Sequence, residues 1–141
     1  MTSPKKIRHA GVLREDHILP AATNMEKQTN WDRQIAEHQE RRALAEKVGI
    51  PALNRLIEVA RRDTGQSEIC GRFLLSLYNG HTFPFNLVDF RNLDQSLWDD
   101  CMSVLFLDQR PKKEVHLWIE GGPAIWEELK SSWRTARDRR L

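Results

Sequence analysis

The sequence holds 141 residues, with 22 Lys and Arg against 20 Asp and Glu for a formal net charge of +2, and it is 40% hydrophobic and 30% charged. A chain of this length buries roughly two-thirds of its unfolded surface, enough for one core without a metal or disulfide. These figures exclude collagen-like, disulfide-dense and wholly disordered classes, and no apolar run approaches the roughly 18 residues that span a bilayer.

In chain order, residues 1–24 hold Pro4, Gly11 and Pro20 among scattered charges and show no periodicity. They read as a flexible arm, with Val12-Leu13 or Ile18-Leu19 as a small anchor. Lys5, Lys6 and Arg8 lead into no apolar stretch, so the start does not read as a signal peptide and a cytoplasmic location is expected. Asn24 or Asn30 is expected to cap a helix over about 25–48, within a polar amphipathic segment 25–50. Its apolar positions, Trp31, Ile35, Ala36, Ala43, Leu44 and Val48, make a thin stripe among Glu37, His38, Glu40, Arg41 and Arg42. Such a helix packs by one edge, or extends and pairs with another chain. Gly49 is expected to end it and Pro51 to open the next.

A helical core domain is expected over 51–138, with 139–141 as a tail. Helix 51–62 places Leu53, Leu56, Ile57 and Ala60 inward, flanked by Val59. The run Asp63-Thr64-Gly65-Gln66-Ser67 breaks it, with Gly65 able to take a positive φ and Thr64 or Ser67 as cap. Helix 67–79 carries Ile69, Cys70, Phe73, Leu74, Leu77 and Tyr78 and is expected to be the most buried element, stopping at Asn79-Gly80. The aromatics of His81 to Phe85 are expected to plug the core edge. Asn86 caps a short turn with Leu87, Val88 and Phe90 inward. Asp94 caps a helix over 95–108, where Leu97, Cys101 and Leu105, and Trp98 and Met102, repeat at four, with Asp99 and Asp100 on the other side. Val115 to Ile119 fits either a short strand or a helical turn. Gly121-Gly122-Pro123 opens a last helix, about 123–138, burying Ile125, Trp126, Leu129 and Trp133. The fold class is therefore all-α: a small domain of five to six helices behind an N-terminal arm.

The chemistry is sparse. Zinc sites draw paired ligands from one turn, whereas Cys70, His81, Cys101 and His116 are far apart, so no metal and no cofactor is expected. No nucleophile elbow or catalytic-cysteine signature is present. Adjacent Asp99 and Asp100 point about 100° apart on a helix and do not converge on one atom. Gly121-Gly122-Pro123 lacks the spacing and the Lys-Ser/Thr of a phosphate loop. The helices either side of Asp63 to Ser67 have the outline of a helix-turn-helix, but Glu68 near the second helix's leading end would face phosphates. Basic side chains do cluster at the C-terminus in Arg134, Arg137, Arg139 and Arg140. Both cysteines sit in apolar runs and read as reduced core residues.

The stretch Ala52 to Ala60, followed by Asp63-Thr64-Gly65-Gln66-Ser67, resembles a family of uncharacterised bacterial proteins carried by plasmids and integrative elements. Tyr78-Asn79, Phe85 to Asp89 and the acidic pair Asp99-Asp100 extend the resemblance across about residues 52–107. Tyr78 stands where a tryptophan is typical, and the first 50 residues look like an addition. The resemblance implies a mobile-element context and no chemistry.

The expected role is a non-catalytic binding module for another protein or for a second copy of itself, with Trp31, Arg41, Arg42 and Trp118 as contact residues. One alternative is an accessory nucleic-acid binder working through the terminal arginines. Another is an enzyme with a pocket lined by His81, Cys101 or Asp99.

Overall fold

The computed structural model describes residues 23–140, and for Arg140 the backbone alone. Four α-helices and two 3-10 turns follow in order: α1 Asn24–Ala60, α2 Gly65–Asn79, a 3-10 turn Leu87–Asn92, α3 Gln95–Asp108, a 3-10 turn Val115–Trp118, and α4 Gly122–Arg140. No strand occurs among the described residues, which makes the fold all-α and makes the 115–118 segment a helical turn. The described residues divide between His38 and Gln39 into two units. The proposed arm and its anchors lie outside the described residues, except that Thr23 and Asn24 already belong to the start of α1.

Helix α1 is capped by Thr23, one residue before Asn24 and seven before Asn30, the two expected caps. The Thr23 hydroxyl accepts from the Glu26 amide at 3.1 Å, and the Thr23 amide donates to the Glu26 carboxylate at 2.9 Å. This reciprocal pair satisfies two amides that the first turn leaves free. From there α1 runs unbroken for 37 residues, with Pro51 inside it. The stop expected at Gly49 is absent because Gly49 keeps a negative φ; Gly121, at φ 71°, is the one glycine in the left-handed region among the described residues. Gly49 serves close packing instead. A Cβ placed there would stand 2.6 Å from the Leu107 Cβ and 3.1 Å from the Ser103 carbonyl oxygen of α3. Pro51 deprives the Lys47 carbonyl of its usual donor, a cost of about 3 kcal/mol in a helix interior. Burial of Ala45, Gly49, Ala52, Leu53, Leu56 and Ile57 on both sides of the proline holds the helix through it.

The core of the second unit forms around Leu53 and Leu56 of α1, Cys70, Phe73, Leu74 and Leu75 of α2, Cys101, Val104 and Leu107 of α3, Val115, and Trp126 and Leu129 of α4. Helix α2 lies against α4 and both 3-10 turns. Phe83 closes one edge, its ring edge-on to Trp133 at 5.0 Å, and Phe85 packs against Phe73 and Phe90 at 5.7 and 4.9 Å. The loop aromatics thus plug the core edge as expected. Leu87 and Val88 do not turn inward. They are exposed on the tight 3-10 turn, where Phe90 alone reaches the core. Trp98 and Leu105 are also exposed, while Val104 and Leu107 take the buried places on α3. On α4, Trp126 and Leu129 are buried and Ile125 and Trp133 half-buried. The helix continues to Arg140, past the expected limit. Gly122 starts it because a side chain there would collide with the His116 carbonyl group.

Candidate functional site

The Asp63 to Ser67 turn is built as a brace. Thr64 is the N-cap of α2: its hydroxyl accepts from the Ser67 amide at 3.0 Å and lies 2.7 Å from the Ser67 hydroxyl. Gln66 reaches across 28 positions to accept from the Asp94 amide at 2.7 Å. Asp94 in turn caps α3 by accepting from the Leu97 amide at 3.0 Å, and that bond leads the causes holding its carboxyl below the ordinary range. Gln66 therefore ties the start of α2 to the start of α3. Gly65 adopts no positive φ and has open space around it. The side-chain polar groups of Thr64, Gln66 and Ser67 are thus engaged within the structure.

The acidic pair on α3 divides in two. Asp99 is exposed and accepts from the Gln95 amide group at 2.9 Å. Asp100, expected on the solvent side, is buried and takes a two-point grip from Arg55 of α1, at 3.0 and 2.8 Å. The planar guanidinium matches the carboxylate fork, which lets the buried charge persist. Asp108, at the end of the same helix, has no such partner. Burial first and the nearby Glu114 second push its carboxyl up to about 6.

Neither cysteine is poised to react. Both are buried free thiols, and burial raises each to about 12, which keeps them protonated near neutral pH. Among the described residues no three His, Cys, Asp or Glu side chains gather as a metal site. His116 packs edge-on to Tyr78 at 5.0 Å, and His81 lies exposed in the loop after α2.

A groove of about 640 Å³ separates α2 from α4, lined in part by Ser67, Arg72, Leu129, Trp133, Arg137 and Arg139. Arg72 donates to Asp89 at 2.8 Å, and Glu68 lies 3.9 Å from its Nε. Asp63 also faces this groove, so the three arginines are largely balanced by acids. Arg134 is exposed, Arg137 folds over Trp133 at 4.9 Å, and the Arg140 side chain lies outside the described residues. The terminal arginines thus share one helix end without forming a single cationic face.

The four expected contact residues have different fates. Arg41 lies over the Phe106 ring at 4.7 Å, with Gln109 at 3.5 Å, and so belongs to the packing of the second unit. Arg42 is exposed. Trp118 is half-buried against the core beneath the Lys113 ammonium at 4.9 Å. Trp31 remains open at 60% exposure, with Ile35 one turn on at 41% and Met25 at 80%. Residues 23–38 are exposed throughout. Met25 and Trp31 are thus among the most exposed large apolar side chains described, together with Leu87 of the 3-10 turn. No helix among the described residues is long and apolar enough to cross a membrane.

Comparison with curated proteins and with solved structures finds no match. The pattern of one family does match, over residues 50–134, well past the point at which the sequence resemblance faded and up to Arg134 in α4. It begins inside α1, one residue after Gly49, and takes in the Gln66 brace, the Arg55–Asp100 pair and the whole helical core. On that match the chain belongs to the family of unknown function DUF7673.

Proposed function

We propose that the protein is a non-catalytic binding module whose contact surface is the open face of α1 around Trp31. The observation that carries this reading is the exposure of Trp31 and Ile35, one turn apart on a formed helix. A tryptophan held in water on a rigid element costs little to order on binding and buries a large apolar area when covered. The engaged side chains of Thr64, Gln66 and Ser67 and the protonated thiols support placing function on the surface. Two buried free thiols also suit a reducing cytoplasm. The resemblance across residues 52–107 supports a place among the cargo of bacterial plasmids and integrative elements, with a host or element-encoded protein as the target.

The test is affinity capture with the full chain beside a Trp31→Ala, Ile35→Ala double variant. A defined protein, or a second copy of the chain, held by the parent and lost from the variant is the expected outcome. Identical retention by both removes the reading. A second reading, accessory contact with nucleic acid, draws on exposed Arg134, Arg137 and Arg139. Duplex binding that weakens steeply with added salt supports it, and salt-independent binding dismisses it.

A further inference from the structure

We draw no further inference here: the strongest candidate, the groove between α2 and α4, carries none, because its buried Ser67 hydroxyl is taken up by Thr64 and its Arg72 by Asp89, and nothing in the structure shows which ligand or segment would fill it.

Discussion

Among single residues, Asp108 carries the least comfortable charge. It closes α3, where the helix dipole already disfavours a negative group, and it is partly buried near Glu114. Its carboxyl is pushed from 3.8 up to about 6. Between those values the native state holds a proton that the unfolded chain releases, so stability falls as pH rises through that window. Above it the carboxylate is a standing cost. Asp108→Asn keeps the shape and removes the charge. Chemical denaturation of the variant is expected at a higher midpoint than the parent near neutral pH, with the gap closing as pH drops below the ordinary carboxylate range. A gap independent of pH, or a parent more stable near neutrality, contradicts the argument. Asp100 shows the opposite management of a similar group: it lies deeper, but Arg55 satisfies both of its oxygens.

At the scale of elements, the decisive contact is the crossing of α1 over α3 at Gly49. The two backbones approach so closely that a methyl group would press on Leu107 and the Ser103 carbonyl. Gly49→Ala is expected to cost about 1–3 kcal/mol by overpacking, despite alanine's better helix propensity. Leu107→Gly, which also removes the Cβ 2.6 Å from the new methyl, opens a cavity, adds a glycine to a helix interior and alone costs about 3–6 kcal/mol. Combined, the alanine methyl occupies part of the space vacated by Leu107, so the double variant loses less than the two losses added. Strict additivity in thermal or denaturant unfolding refutes the close crossing. The same crossing explains what the sequence made legible and what it hid. The spacing of Leu53, Leu56 and Ile57, the Asp94 cap and the greasy face of α2 were readable because large apolar side chains and caps leave periodic local marks. Gly49 reads as a stop in the sequence because glycine serves both turns and close approaches, and only the partner helix distinguishes them. For the same reason Leu44 and Val48 drew attention as the α1 stripe, while the smaller Ala45 and Gly49 are the residues that pack. Gln66 belongs to a motif visible in the sequence, but its bond to Asp94 spans 28 residues and has no local signature. Trp31 on the α1 stripe and Trp98 at a spacing of four on α3 both fit apolar patterns in the sequence, and both are exposed.

At the scale of the whole molecule, the division between residues 38 and 39 separates a helix segment whose side chains are all in solvent from a segment that holds the entire buried core. The family match, starting at residue 50, falls wholly within the second unit. On the proposed reading, stability and recognition fall on different stretches of one helix. Removal of residues 1–38 deletes none of the buried side chains described, and spares the Glu46–Lys112 ion pair and the Arg41–Phe106 contact. The shortened chain is expected to retain a cooperative transition, with stability within about 1 kcal/mol of the parent, as for other changes confined to exposed positions. On the proposed reading it is expected to lose Trp31-dependent binding completely. Removal of residues 1–52 also takes away Ala45, Gly49 and Ala52 and uncovers Leu107, and this chain is expected to lose cooperative unfolding. Calorimetry on the three proteins, with affinity capture on the first two, decides the matter. If the shorter truncation already abolishes the transition, the exposed half of α1 is a structural strut, and the separation of recognition from the core is wrong.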